Sequence, residues 1–261
     1  VEETQKRGLN RAEHRLHLRC ELPHHTTLPL FEKLVGREPV SLVSLMDHSP
    51  GQRQFANIEK YREYYQGKYA LNDAEMARYE EEQLQLAARW SQPNRLSIAA
   101  MCRDRNIALA SHDDATHDHV RESHQLGSVI AEFPTTFEAA EASRKHGMNV
   151  LMGAPNIVRG GSHSGNVAAS KLASLGLLDI LSSDYYPASL LDAAFRVADD
   201  EGNSFTLPQA IRLVTKNPAS ALNLHDRGEI AEGKRADLVL AHRKGEHIHI
   251  DHVWRQGKRV F

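Results

Sequence analysis

The chain has 261 residues, of which 41% are hydrophobic and 25% are charged, a composition typical of a folded globular protein and not of a disordered one. With 32 Lys and Arg against 34 Asp and Glu, the formal net charge of −2 offers no basic surface for nucleic acid or an anionic membrane. We find no apolar run long enough to cross a bilayer, and two cysteines cannot form a disulfide framework, so we expect a reduced, cytoplasmic protein.

The first residues, Val1-Glu2-Glu3-Thr4, lack an initiator Met and resemble the middle of a charged helix. We therefore expect that an N-terminal portion is missing. Histidine is the unusual residue type, with 16 copies. Because histidine is the most common metal ligand and a frequent acid or base, the positions of these side chains guide the search for a site.

Short apolar runs alternate with helical stretches along most of the chain, which is typical of a parallel sheet covered by helices. Strands are predicted at 15–21, 40–46, 107–110, 128–133, 149–152 and 179–181. Helices are predicted at 26–35, 96–105, 115–125, 136–146 and 166–175. Gly147 and Gly176 follow two of these helices at the position that favours a left-handed residue. The fold class predicted from this pattern is α/β.

Residues 51–95 interrupt the alternation and are predicted to be a helical insertion. We expect two charged helices here, around Gly67 and Asn72-Asp73, ended by Pro93. The insertion carries five of the seven tyrosines. Helix packing is the expected role of Tyr61, Tyr64, Tyr65 and Tyr69, and a lid over a substrate is the alternative.

The last part of the chain is richer in strand patterns. Strands are predicted at 236–241, 249–255 and 259–261, with a turn at Gln256-Gly257. We therefore divide the chain into a partial barrel over residues 1–223 and a fragment of a small β-sandwich domain over residues 224–261.

Four candidate metal ligands or bases follow predicted strands: Glu21, His48, His112 and Asp184. Parallel barrels place reactive side chains at the carboxyl ends of their strands, so these four are expected to converge. Two imidazoles and a carboxylate suit a divalent metal, which lowers the pKa of a bound water from about 15.7 toward about 7. Asp184 is the predicted ligand or general base. A single histidine or carboxylate after a strand is more often a packing residue. The metal site is favoured here because all four residues follow strands at the same end of the predicted sheet.

Neighbouring polar residues are interpreted more simply. Asp113 and Asp114 are expected to cap the helix that follows them. His117 is expected on the solvated face of that helix, and His24 and His25 are weaker candidates for substrate contact.

A glycine-rich stretch over residues 153–166 follows a predicted strand and is expected to open a helix. Free backbone N–H groups and a helix N-terminus favour an anion, and an arginine can bind two phosphate oxygens at once. The candidate phosphate-binding residues are Arg159, Gly160, Gly161, Ser162, His163 and Ser164. A glycine loop that binds nothing is the alternative, and the loop is not a Walker A motif.

The segments Asn217-Pro218-Ala219, Asp226-Arg227-Gly228 and 232–240 resemble the C-terminal signature of the amidohydrolase superfamily. The resemblance implies a distorted (β/α)₈ TIM-type barrel, incomplete in this chain, with a small β-sandwich domain and a divalent metal (Zn, Mn or Mg). It assigns Glu21, His48, His112 and Asp184 as ligands. The superfamily also has a His-x-His or His-x-Asp pair on its first strand, and this chain contains no such strand.

The stretches 18–25, 44–54, 110–116, 153–166 and 182–187 resemble a branch of the superfamily that acts in phosphonate catabolism. The expected activity is hydrolysis of a phosphoanhydride in a ribose 5-triphosphate, with release of diphosphate. Two alternatives stay open, an amidohydrolase acting on an amide or cyclic amide, and a catalytically incomplete fragment. The expected partner is a phosphorylated sugar, not nucleic acid or a membrane, and a homo-oligomer is an open option.

Overall fold

The structure is a computed structural model that describes residues 1–162, 165–245 and 247–261. The chain forms two compact units, a continuous unit of residues 17–148 and a split unit of residues 1–16 and 149–261. The helices are α1 (Glu2–Lys6), α2 (Thr27–Val35), α3 (Ile58–Tyr69), α4 (Asp73–Asp104), α5 (His117–Gln125), α6 (Phe137–Lys145), α7 (Ala154–Val158), α8 (Ala169–Ser174), α9 (Ser189–Asp199), α10 (Leu207–Arg212) and α11 (Lys216–Ala221). The strands are β1 (Leu16–Glu21), β2 (Val40–Met46), β3 (Ala108–His112), β4 (Ile130–Glu132), β5 (Asn149–Gly153), β6 (Ile180–Ser182), β7 (Leu238–Lys244), β8 (His247–Arg255) and β9 (Lys258–Arg259).

The continuous unit is built on β1 to β4, which lie side by side in chain order. The pairing of β2 with β3 and of β3 with β4 is parallel, with Leu45 opposite Ser111 and His112 opposite Glu132. All five residues of β3 are buried, as expected for a strand covered on both faces. This register brings the carboxyl ends of the strands to one edge of the sheet.

The long helix α4 differs from the prediction. It runs without a break from Asp73 to Asp104, so the expected end at Pro93 is wrong. An internal proline costs a helix about 3 kcal/mol, and the buried contacts of the residues that follow it offset this cost here. Asn94 and Arg95 are buried directly after the proline, and the Asn94 side chain donates hydrogen bonds to the Leu22 and His24 carbonyls at 2.8 and 2.9 Å.

The tyrosines of the insertion pack around Phe55. Tyr61 is 1% exposed, with its ring centroid 5.1 Å from that of Phe55, while Tyr65 and Tyr79 are partly buried against the same cluster. Packing is therefore confirmed for Tyr61 and Tyr65, while Tyr69 remains half exposed. Tyr64 remains half exposed, and the lid stays a prediction.

The split unit contains a parallel pair of strands and an antiparallel sheet. β5 pairs with β6 so that Gly153 lies opposite Ser182, and β7, β8 and β9 form the antiparallel sheet. The turn predicted at Gln256-Gly257 is confirmed, because both residues have positive φ (51° and 76°), as a tight hairpin turn requires. The predicted domain boundary after residue 223 stays a prediction.

All six strands predicted before residue 224 form, with ends that lie within two residues of the prediction. Gly147 and Gly176 have φ of 75° and 67°, which confirms their role after helices. No helix in the described ranges is both long enough and apolar enough to pass through a bilayer. Cys20 and Cys102 are buried as free thiols.

Candidate metal centre

Four strands of the continuous unit end in polar residues on one edge of the sheet. Glu21, His112 and Glu132 are the last residues of β1, β3 and β4, and His48 lies two residues beyond β2. The parallel register described above places these residues together. This arrangement is the physical basis for the predicted convergence of His48 and His112.

The structure brings His48, His112 and Asp113 close enough to hold one metal ion, with the donor atoms of the three residues within 4.8 Å of one another. One oxygen of Asp113 (Oδ2) lies 3.7 Å from Nε2 of His48 and 3.4 Å from Nε2 of His112. The two imidazole rings stand edge to face, with centroids 5.7 Å apart. His112 is 4% exposed and Asp113 is 8% exposed, while His48 is partly exposed, so the centre is buried on one side and open to water at His48.

Each histidine uses its other ring nitrogen to bind a carboxylate. Nδ1 of His48 lies 2.6 Å from Oε2 of Glu21, and Nδ1 of His112 lies 2.7 Å from Oε2 of Glu132. Such contacts fix Nδ1 as the donor and leave Nε2 as the ligand atom, an arrangement that recurs around protein-bound metals. The residues present therefore fit a divalent metal, held by two Nε2 atoms and one carboxylate.

The charges of the centre are coupled through these contacts. Burial lowers the pKa of His48, but the carboxylates of Asp113 and Glu21 outweigh burial and raise that pKa to about 9. Burial raises the pKa of Glu132, yet the hydrogen bonds from His112 and Ser44 and the nearby His17 hold it below its ordinary value. Glu132 is thus a buried carboxylate whose ionised form is stabilised by hydrogen bonds.

A second hydrogen-bonded chain reaches the centre from β1. Nε2 of His17 donates to Oγ of Ser44 at 2.5 Å, and this hydroxyl donates to Oε2 of Glu132 at 2.7 Å. The polar face of β1 thereby connects to the carboxylate that orients His112.

A buried ionic network holds the loops on both sides of the centre. Arg53 pairs with Asp114 and, at 2.8 Å, with Glu122, while Arg95 pairs with Glu122 at 2.7 Å and with Asp47 at 3.2 Å. Asp47 directly precedes His48, and Asp114 directly follows Asp113. The two arginines therefore anchor the backbone next to two of the three metal-facing side chains.

The backbone is strained at three strand ends. Asp113, Phe133 and Asp184 have φ of 55°, 57° and 48°, in the left-handed region that side chains other than glycine rarely adopt. Strain of this kind costs of order 1–3 kcal/mol and concentrates at functional sites. Phe133 also packs its ring against His112, with centroids 5.6 Å apart.

Glu21 and Asp184, the other two predicted ligands, are not part of the group formed by His48, His112 and Asp113. Both oxygens of Glu21 bind His48, since Oε1 accepts the backbone N–H at 3.0 Å and Oε2 contacts Nδ1. Asp184 follows β6 in the split unit. Its Oδ2 lies close to Gly153, at 3.4 Å from the position that a Cβ atom would occupy on that glycine. Metal ligation by all four predicted residues, and proton transfer by Asp184, stay predictions.

The glycine-rich stretch differs from the prediction. It contains a short helix, α7 (Ala154–Val158), and the next helix begins at Ala169 and not at Asn166. The side-chain oxygen of Asn156 accepts the Ala169 N–H at 2.9 Å. The helix N-terminus therefore lies three residues later than predicted, and one of its N–H groups is already bonded to Asn156.

The remaining phosphate-binding candidates lie between these helices. Nη1 of Arg159 donates to the Tyr185 hydroxyl at 3.0 Å, which places Arg159 beside the end of β6. Gly160 and Gly161 adopt positive φ, and Ser162 follows them. His163 and Ser164 lie outside the described residues. Phosphate binding by this stretch stays a prediction.

The sequence interpretation missed Asp113 and Glu132. Capping by Asp113 and Asp114 is wrong, because Thr116 is the N-cap of α5 and its hydroxyl accepts the His119 N–H. A His-Asp pair at a strand end and an acidic residue at the end of a buried strand were the available signals. Both signals were weak, because the sequence does not show which side chains of the neighbouring strands contact these carboxylates.

Comparison with known proteins supports the family predicted from the sequence. Residues 15–261 match the model of the amidohydrolase family. Alpha-D-ribose 1-methylphosphonate 5-triphosphate diphosphatase of Escherichia coli (strain K12) is 88% identical over 261 residues, which is 100% of this chain and 69% of that protein. An adenine deaminase of Ligilactobacillus salivarius (strain UCC118) is 34% identical over 125 residues, which is 44% of this chain and 21% of that protein.

Among solved structures, an adenosine deaminase from Xanthomonas campestris with bound zinc is similar at a TM-score of 0.50 and 17% identity, over 88% of this chain and 54% of its own. At this identity the likeness concerns the fold alone, and it agrees with the predicted α/β class. Because the family model covers nearly the whole sequence and a relative is 88% identical across all of it, the chain belongs to the amidohydrolase family.

Proposed function

We propose that this protein hydrolyses the 5-triphosphate of α-D-ribose 1-methylphosphonate with the help of a divalent metal and releases diphosphate. The observation that carries the proposal is the pair of imidazoles whose Nδ1 atoms bind carboxylates and whose Nε2 atoms face Asp113. The choice of substrate rests on the 88% identical relative, whose name specifies this triphosphate.

In this proposal His48, His112 and Asp113 hold the metal, and Glu21 and Asp184 are further ligands. A bound divalent metal would supply Lewis acidity and make a water molecule a better nucleophile at neutral pH. Zn, Mn and Mg are all candidates, and the mixed nitrogen and oxygen donors favour the first two.

The other proposed roles belong to residues of the chain. Glu21 and Glu132 accept the Nδ1 protons of the two imidazoles, which fixes the orientation of the rings and presents Nε2 to the metal. Asp184 takes the proton from the attacking water, and Arg159 with the glycine-rich stretch binds phosphate oxygens. We also propose a cytoplasmic location and a small phosphorylated sugar as the partner.

The test has two steps. Elemental analysis of the purified chain measures bound metal, and ³¹P NMR follows diphosphate release from the ribose triphosphate after loading with Zn²⁺, Mn²⁺ or Mg²⁺. We expect one or more metal ions per chain and diphosphate release that His112→Asn abolishes. His117→Gln, which changes an exposed histidine five residues away, is the matched control and is expected to keep both.

Two outcomes distinguish the alternatives. Hydrolysis of a cyclic amide but not of the triphosphate would replace this proposal with an amidohydrolase activity. Metal binding at His112 without turnover of either substrate would identify a catalytically incomplete chain and refute the proposed activity for it.

A further inference from the structure

Arg19 is a cation at the metal centre that the proposed function has not used. It lies on β1 two residues before Glu21, on the same face of the strand. Its Nη2 is 3.1 Å from Nε2 of His112, and its Nε is 3.3 Å from the Met46 sulfur. The guanidinium therefore sits at the atom that would bind the metal.

The direction of this hydrogen bond is fixed by chemistry. A guanidinium carries only donors, so Nε2 of His112 must accept. The contact of Nδ1 with Glu132 is compatible with this, since a carboxylate accepts the Nδ1 proton and Nε2 then needs no proton of its own. The two contacts thus fit one state of His112, in which Nδ1 donates to Glu132 and the Nε2 lone pair accepts from Arg19.

The charge of Arg19 lacks a carboxylate partner within the described part of the chain. Arg53 and Arg95 differ in this respect, because both are paired with buried carboxylates. An unpaired cation beside a metal centre favours an anionic ligand, and a guanidinium can bind two phosphate oxygens at once.

We propose that Arg19 donates to His112 while the centre is empty and, once a metal takes Nε2, turns to bind a phosphoryl oxygen of the substrate. The identity of the anion rests on the proposed function, whereas the exchange at His112 does not. Arg19 would then be a specificity-determining residue for polyanionic substrates, contributed by β1 and separate from the glycine-rich stretch.

Two opposite effects of one substitution test this. Arg19→Gln removes the cation that competes with the metal, so we expect Mn²⁺ to bind about three- to tenfold more tightly by isothermal titration calorimetry. The same variant loses a charged hydrogen bond to the anion, so we expect inorganic diphosphate to bind at least about tenfold more weakly, measured at a buffered, saturating Mn²⁺ concentration.

Matched variants separate these effects from general changes in charge and folding. Arg15→Gln removes an exposed arginine that pairs with Glu13 and should leave both affinities unchanged. Arg19→Lys keeps the charge without the planar fork and should lie between wild type and Arg19→Gln for diphosphate. Circular dichroism checks folding, and Arg19→Met, whose side chain can pack on Met46, replaces the Gln variant if that variant does not fold.

Unchanged Mn²⁺ affinity in Arg19→Gln would overturn the exchange at His112, and unchanged diphosphate affinity would overturn anion binding by Arg19. If the wild-type chain binds Mn²⁺ but not diphosphate, the proposed substrate class fails and anion binding by Arg19 fails with it. The Mn²⁺ titration still decides the exchange at His112 in that case, so the two failures are distinguishable.

Discussion

The pair formed by Arg53 and Asp114 provides a quantitative test of the network around the metal centre. The Arg53 side chain is 6% exposed and that of Asp114 is 1% exposed, so neither charge can be solvated if its partner is removed. Removing one partner of a buried pair costs about 3–5 kcal/mol, because an unpaired charge remains buried. We expect Arg53→Met to lower the free energy of unfolding by this amount.

The network explains why replacing Arg53 should lower the free energy of unfolding so strongly. One oxygen of Asp114, Oδ2, is buried without a hydrogen-bond partner, so Arg53 provides its main compensation. Glu122 keeps Arg95 after the substitution and is 35% exposed, so it adds little to the loss. Replacing both partners, as in Arg53→Met with Asp114→Leu, should cost much less than the sum of the single changes, with a coupling of at least about 2 kcal/mol.

Urea unfolding followed by tryptophan fluorescence measures these values. Trp90 lies on α4 in the continuous unit and Trp254 on β8 in the split unit, so a Trp254→Phe background reports on the unit that contains the pair. Arg121→Met, which breaks the exposed pair with Asp118, is the matched control and should change stability by less than about 1 kcal/mol. Additive effects of the two changes would refute the argument that burial couples the pair.

Three further predictions follow from individual contacts. Glu132→Gln removes the carboxylate that orients His112 and should weaken metal binding about 10- to 100-fold by calorimetry, whereas exposed Glu138→Gln should not. Burial, together with Arg53 and Arg95, lowers the pKa of His119 to about 4, so the unfolded chain binds the extra proton first and stability should fall between pH 6.5 and pH 4. His119→Gln should flatten this part of the pH profile of thermal unfolding, and an unchanged profile would contradict it. Pro93→Ala should stabilise the uninterrupted α4 by about 1–3 kcal/mol in urea, and a loss of stability would contradict the packing explanation.

Much of the fold was predictable because its signals are local. The period-two alternation of 15–21 and the apolar runs of the other strands report burial of a strand within a few residues. Glycines after helices and the Gln256-Gly257 turn report backbone conformation at a single position. The uninterrupted α4 was not predictable in this way, because the contacts that offset Pro93 come from Leu22, His24 and Asp47, which are distant in sequence.

The same distinction applies to the metal centre. His48 and His112 could be proposed because each follows a strand, and the parallel register converts that shared position into proximity. Asp113 could not, because a carboxylate before a helix is usually a cap, whereas here the residue has a left-handed φ and lies near both imidazoles. Glu132 and Arg19 face each other across His112 from separate strands, one fixing its tautomer and one occupying its free nitrogen. A residue whose function depends on a contact with another strand has no sequence pattern of its own. The sequence therefore predicts the candidate ligands of this centre more readily than the residues that contact them.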